Sequence, residues 1–133
     1  MIKIWNDNMK NIFVSGWVTC LDESMSICHN KWTCTGWVFC PRKPHPFGNE
    51  YHDICCGLSG ILFRILMVEG KDTPKEKPDG DFDEYGKTTS LLLELCRTLF
   101  YSGKVVILDS GFCVLKAIIK LRECGVYASA VSY

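Results

Sequence analysis

The sequence predicts a single α/β domain, in which three antiparallel strands are followed by alternating helices and parallel strands in one mixed sheet. Short apolar runs rich in β-branched and aromatic residues occupy the first half of the chain, whereas helical spacing alternates with apolar runs in the second half. With 133 residues, of which 47% are hydrophobic, the chain can bury one core. Its formal net charge of zero does not indicate a basic nucleic-acid module.

The first half contains three apolar runs that are typical of buried strands. They cover Ile12–Leu21, Tyr51–Gly57 and Ile61–Glu69. The last two are separated by a short Leu-Ser-Gly turn, which predicts a hairpin. Between the first two lies Ser24–Gly48, where three prolines predict a loop that contains a short extended piece at Gly36–Cys40.

The second half begins after a charged segment, Gly70–Gly86, which predicts an exposed and flexible connection across residues 70–87. Leucines at helical spacing follow it, with Thr88 or Thr89 as the predicted N-cap and Gly103 as the predicted C-cap. The predicted elements are a helix over Thr88–Ser102, a strand over Lys104–Leu108, a helix over Phe112–Cys124 and a strand over Val126–Tyr133.

Two aspartates follow predicted strands directly. Asp22 ends the first strand and Asp109 ends the fourth, and right-handed crossovers place these strands side by side. Adjacent carboxylates repel unless a cation holds them, so Mg²⁺ or Mn²⁺ is the expected ligand. Ordinary roles stay open: Asp22 as a turn residue, and Asp109 as the N-cap of the second helix. Asp53, inside a predicted strand, is a further candidate for the same crevice.

The nine cysteines show no C-x-x-C spacing. A zinc site can be drawn from the cysteines and histidines between residues 28 and 55, but their spacing matches no established pattern, so no zinc is expected. The thiols are predicted to be reduced and to act as small hydrophobic side chains. No apolar run is long enough to span a bilayer, and the N-terminus does not resemble a secretory signal, so an intracellular protein without a membrane partner is predicted.

A basic loop between the first two strands is the candidate for phosphate contacts. Arg42, Lys43 and His45 lie among prolines, and a stiff loop needs little further ordering to bind a nucleic-acid backbone. A solvated turn is the alternative for this loop. Trp32 and Trp37 could stack on bases, although burial in a core is the commoner role of tryptophan.

Several stretches of the sequence resemble the catalytic domain of piggyBac-type transposases and their domesticated relatives. These stretches are Asp22–Met25, Pro41–His52, Val68–Asp72, Ile107–Phe112 and Gly125–Ser129. The resemblance begins at about residue 14 and continues to the end of the chain. It implies an RNase H-like fold, DNA as partner, self-association, a nuclear location, and three acidic residues that bind two metal ions for DNA cleavage and joining.

By this resemblance, Asp22 and Asp109 are the first two of the three acids, and the third would lie beyond Tyr133. The residues that follow Asp109, Ser110 to Cys113, depart from the family's pattern, which often has Asn there. The predicted function is therefore that of a truncated transposase catalytic domain, covering residues 1–133, that binds one ion weakly and does not cleave DNA alone. The alternative is a non-catalytic domesticated fragment that binds DNA or a protein partner.

Overall fold

The computed structural model describes residues 1–68 and 82–130, and within these ranges six strands form one mixed sheet with three α-helices around it. The strands are β1 Val18–Ile27, β2 Val38–Phe39, β3 Phe47–Cys56, β4 Leu62–Met67, β5 Val105–Leu108 and β6 Tyr127–Ala130. The helices are α1 Ile2–Ile12, α2 Lys87–Cys96 and α3 Leu115–Glu123. No helix in the described part of the chain is long and apolar enough to cross a membrane.

The sheet has the predicted mixture of antiparallel and parallel pairs. Its order is β2-β3-β1-β5-β6, and β4 pairs with the remaining half of β3. β1 is antiparallel to β3 and parallel to β5, which is itself parallel to β6. The sequence placed the strand over Lys104–Leu108 beside the first strand, and the pairing of β5 with β1 confirms this prediction.

The predicted bounds of the first strand are wrong. Residues up to Ile12 belong to α1, and β1 continues past Leu21 to Ile27. The apolar run stops at Leu21 because the paired strand β5 stops there, at Leu108. Beyond this point β1 is held by β3 alone and alternates with polar residues. Asp22 therefore lies within a strand and does not end it.

The N-terminal helix α1 was not predicted. Its inward stripe recurs at helical spacing and includes Asn6, half-buried, and Met9, buried. The Asn6 amide donates a hydrogen bond to the carbonyl of Ile65 in β4, and its side-chain oxygen accepts one from the Ile65 amide, at 2.8 and 2.9 Å. An edge strand exposes such unpaired backbone groups. The Asn6 side chain of α1 therefore pairs with both backbone groups of Ile65, which lie on the free edge of β4.

The predicted loop over Ser24–Gly48 is partly wrong, because both of its ends belong to strands. The last residues of β1 pair with the first residues of β3, down to Ile27 opposite Gly48. A Cβ on Gly48 would lie 2.0 Å from the carbonyl oxygen of Ser26, so only glycine fits this close approach. The extended piece within the loop is confirmed as β2, and the hairpin as β3 and β4.

The second half follows the predicted order with shorter helices. α2 ends at Cys96 and passes into a 3-10 helix at Arg97–Leu99, so Gly103 does not cap it, and its N-cap is Gly86. The predicted second helix is split into a 3-10 helix at Ser110–Phe112 and α3, because Val114 between them is extended.

The charged connection lies mostly outside the described residues, which resume at Phe82. Its final part is not an exposed link: Asp83–Tyr85 form a 3-10 helix, and Phe82 and Tyr85 pack against the core. The C-terminal strand is confirmed as β6, and residues 131–133 lie outside the described range.

Side-chain alternation divides the sheet into two faces. The helix face carries Thr19 and Leu21 of β1, which are 0% and 2% exposed, and it packs with α2 and α3 in the hydrophobic core. The core residues from β1, β3 and β5 on this face are Leu21, Ile54, Cys56, Val106 and Leu108. The acidic face carries Cys20 and Asp22 of β1 together with Asp53 of β3, and these side chains are half-buried or exposed. The two faces thus present different chemistry from the same strands.

Candidate metal and nucleic-acid site

Asp22 and Asp109 lie next to each other at the end of the parallel pair β1–β5. Leu21 and Leu108 are partners in the register, and each aspartate is the next residue along its strand. Asp109 has extended backbone angles, φ −68° and ψ 162°, so it continues the direction of β5. Neighbouring strands are about 4.8 Å apart, and side chains alternate along them. Both aspartates are therefore placed on the acidic face, where both are exposed.

Asp109 does not have the ordinary role of capping the second helix. The N-cap of α3 is Val114, and Asp109 precedes the 3-10 helix without a side-chain capping bond. Asp22 is not a turn residue, since it lies inside β1. Its Oδ1 accepts a hydrogen bond of 2.7 Å from the backbone N–H of Glu23. Both local explanations for these aspartates are therefore excluded.

Asp53 is the direct cross-strand partner of Asp22 on β3. Burial raises the pKa of Asp53, the hydrogen bond donated by the Ser24 hydroxyl lowers it in part, and the negative charge of Asp22 raises it further. Like charges directly opposite in a sheet are destabilising. Among the residues that the structure describes, no ion pair joins Asp22, Asp53 or Asp109 to a cation. The charges of His52 and Lys43 lower the pKa of Asp53 in part, but no described cation lies within ion-pair distance of the three acids.

A second acidic cluster lies on the opposite, helix face. Glu23, Glu50 and His52 present ligand atoms that all lie within 4.8 Å of one another, so this set has the composition and spacing to hold a metal ion. Glu23 and His52 are register partners of β1 and β3, and the Nε2 of His52 lies 3.8 Å from Oε1 of Glu23. Burial lowers the pKa of His52, and the neighbouring acids partly oppose that shift.

The basic loop balances this second cluster. The Arg42 guanidinium donates to Oε2 of Glu23 and lies 3.5 Å from Oε1 of Glu50. Lys43 Nζ lies 3.7 Å from Oε2 of Glu23 and donates a 3.1 Å hydrogen bond to its carbonyl. Two cations therefore already neutralise part of the negative charge of this cluster. Of the three predicted phosphate-contacting residues, Arg42 and Lys43 are turned toward Glu23, and His45 is exposed.

The segment after β5, Ser110–Phe112, packs next to the cluster of Glu23, Glu50 and His52 on the helix face. Phe112 of the 3-10 helix packs edge-on against the His52 ring, with 5.3 Å between ring centroids. A Cβ on Gly111 would lie 4.0 Å from Oε1 of Glu23. Within the stretch in which the sequence departs from the family's pattern, Gly111 and Phe112 thus lie next to Glu23 and His52 of the helix face.

The sequence did not indicate Glu50 as a site residue. The available signal was the alternation of Glu50 and His52 along one strand, opposite Glu23 on another. That signal becomes visible only when the register is known, because it joins residues from two strands. The predicted aromatic residues are also divided by the fold: Trp32 is 91% exposed, whereas Trp37 is half-buried.

The family described as Transposase IS4 matches residues 1–131, and the chain belongs to this transposase family. A comparison with curated proteins found no match. Among solved structures, the chain resembles the piggyBac transposase in a cryo-EM structure of its synaptic complex with hairpin DNA, with a TM-score of 0.77 at 13% sequence identity. The match covers 98% of this chain and 26% of that transposase.

These findings confirm the predicted mixed sheet and the predicted resemblance of its fold to piggyBac-type transposases. The chain is a transposase-family domain, and it spans about a quarter of the length of the solved relative. At this level of identity the structural likeness concerns the fold.

Proposed function

We propose that the chain is the part of a DNA transposase catalytic domain that contributes two acidic metal ligands, Asp22 and Asp109, and that DNA is its partner. One observation carries this proposal: the two aspartates directly follow register partners on adjacent parallel strands. Groups just beyond the carboxyl end of a parallel strand pair line ligand sites in open α/β sheets. Family membership supports the same assignment.

The donor chemistry of the acidic face fits Mg²⁺ or Mn²⁺. Exposed carboxylate oxygens without a protein cation are suitable ligands for a hard divalent ion that keeps several waters. The Glu23 cluster is less suitable, because Arg42 and Lys43 already neutralise it. When bound in such a site, a divalent ion activates an attacking hydroxyl and stabilises the leaving oxygen of a phosphodiester. Asp22 and Asp109 would position that ion.

DNA phosphates are the proposed ligands of Arg42, Lys43 and His45. The Arg42 side chain is 61% exposed despite its pairing with Glu23, so a phosphate can reach it from solvent. Binding would then exchange part of a protein ion pair for a contact with DNA. The proposal includes a nuclear location and self-association. Both rest on the family resemblance, and no contact among the described residues bears on them.

A titration with Mn²⁺ tests the metal site. The wild-type chain should give one saturable site by calorimetry, and Asp109→Asn and Asp22→Asn should each abolish saturation. Glu50→Gln reports on the other cluster, and Asp7→Asn, in an exposed acid of α1, is the matched surface control. Loss of saturation in Glu50→Gln with retention in Asp109→Asn would assign the ion to the helix face and contradict the proposal.

DNA cleavage by this chain is expected to be absent. Two carboxylates leave a second metal with too few ligands, and loss of that metal suppresses turnover by orders of magnitude. A nicking assay on DNA that contains transposon ends should therefore remain blank. Metal-dependent nicking that disappears in Asp22→Asn would show instead that another residue completes the site, and Asp53 is the first candidate.

A further inference from the structure

An exposed row of aromatic rings lies at the edge of the sheet formed by β2 and β3. Phe39 and Phe47 are register partners whose ring centroids are 5.1 Å apart with planes inclined by 26°. The Trp37 ring also stacks on Phe47, with 5.8 Å between centroids and planes inclined by 20°. Phe47 therefore stacks with both Phe39 and Trp37, and the three rings form one contiguous aromatic group at this edge.

A lysine and a second tryptophan extend this row. Lys31 Nζ lies 5.9 Å from the centroid of the Trp37 ring and 6.0 Å from that of Trp32. We call the five residues Phe39, Phe47, Trp37, Lys31 and Trp32 the aromatic row. Its two ends are open to solvent, with Trp32 91% and Phe39 56% exposed. Exposed apolar groups arranged contiguously mark interaction surfaces more often than scattered single ones.

The chain segment that carries the row is basic, and the cations of its loop also contact Glu23 and Glu50, which lie outside the segment. Residues 28–49 contain no aspartate or glutamate, although acids and bases are equal in number over the whole chain. The same segment contains His29 and Lys31 beside the rings, and the basic loop with Arg42, Lys43 and His45 joins Phe39 to Phe47. A ligand that combines flat apolar groups with negative charge is complementary to this surface.

We propose that the aromatic row binds single-stranded DNA, with unpaired bases stacked on Trp32 and Phe39 and the adjoining phosphates near Lys31 and the basic loop. Aromatic platforms beside cations are the usual way in which proteins bind single strands without reading their sequence. This inference deepens the proposed function by naming unpaired strands as a ligand class. It does not depend on the metal ligands, because the row lies beyond Asp22 along β1, near Ile27.

A protein partner is the competing occupant of the same rings. A partner that buries them would also bury Lys31, with which no described acidic residue forms an ion pair, and burial of unpaired charge is costly. Single-stranded DNA offers phosphates to these cations and bases to the rings at the same time. The charge pattern therefore favours the nucleic acid.

Fluorescence anisotropy with labelled oligonucleotides, in EDTA, tests the proposal apart from the metal site. The full chain should bind oligothymidylate more tightly than an abasic oligonucleotide of the same length and charge. It should also bind oligothymidylate more tightly than a duplex of the same length. Trp32→Ala and Phe39→Leu should each weaken oligothymidylate binding by roughly five- to a hundredfold and leave abasic binding unchanged. Lys31→Gln should weaken both and reduce the dependence on salt by about one ion.

Trp17→Ala is the matched control, since Trp17 is 65% exposed but precedes β1, whereas the row lies at the opposite end of that strand. It should bind as the wild type does. Equal affinity for thymidine and abasic strands, duplex binding as tight as single-strand binding, or equal effects of Trp17→Ala and Trp32→Ala would each overturn the proposal. Because EDTA removes divalent ions and Asp22 and Asp109 stay intact, failure here leaves the metal titration unaffected.

Discussion

The two faces of the sheet differ in how their acidic side chains are balanced. On the helix face, Glu23 contacts Arg42, Lys43 and His52, and Glu94 of α2 pairs with Arg64 of β4. On the acidic face, the described residues offer no ion pair to Asp22 or Asp109. Residues that alternate along the same strand, Asp22 and Glu23, thus have opposite electrostatic surroundings.

This difference separates acids that support the fold from acids that are available to a ligand. A carboxylate with protein cations within 4 Å is already stabilised and has less to gain from a metal. Carboxylates that repel one another across strands gain most from an added cation. Spatial clustering alone points to Glu23, Glu50 and His52 as metal ligands. The charge balance supports the proposed site on the acidic face instead.

The largest expected effect is the difference in stability between substitutions at Leu21 and at Cys20, which are neighbours in β1 with side chains on different faces of the sheet. Leu21→Ala should lower the free energy of unfolding by about 2–5 kcal/mol, because Leu21 is buried in the core and the change leaves a cavity. Cys20→Ala should cost about 1 kcal/mol or less. Urea unfolding of both variants measures the difference, and similar costs would contradict the assignment of the two faces.

Asp53→Asn should stabilise the protein at neutral pH by up to about 1 kcal/mol, because it removes a like charge opposite Asp22. A raised pKa in the folded state contributes stability at low pH that is lost as pH rises through that pKa. The increase in the free energy of unfolding caused by Asp53→Asn should therefore become smaller as pH falls toward 3.8, the ordinary pKa of the carboxyl. A constant gain from pH 7 to pH 3.5 would mean that charge is not its cause.

Arg42→Gln should change stability by only about 0.2–1 kcal/mol, since the Arg42 side chain is 61% exposed. Its effect should decrease at high salt, which screens exposed pairs. Thermal melts at low and high salt provide the measurement. A cost well above this range, or one that salt does not reduce, would show that Arg42 has a packing role.

The smallest effect concerns pH on the helix face. The pKa of His52 is lowered from 6.5 by burial, so His52 contributes stability above 6.5 that is lost as pH falls through its folded pKa. Neighbouring acids oppose the shift, which limits the slope. His52→Gln should flatten the stability profile below pH 6.5 relative to wild type. An unchanged slope would assign it to another group.

The order of strands and the position of Asp22 and Asp109 directly after the paired residues Leu21 and Leu108 were predictable from sequence. Both depend on local patterns: apolar runs that end at an aspartate, and helices at 3.6-residue spacing between strands. Crossover handedness then leaves few arrangements of such elements. The bounds of β1 were not predictable in this way, because its second half alternates with polar residues and is a strand only through its pairing with β3.

The sequence by itself determined the mixed sheet, the acids at the end of its parallel pair and the basic loop, since each follows from residues close together in the chain. Only the tertiary structure decided that Glu23 is balanced by Arg42, that Glu50 joins His52, and that Phe39 and Phe47 align with Trp37. These contacts join segments whose register is set by pairing across the sheet, and a one-residue shift would move every side chain to the other face.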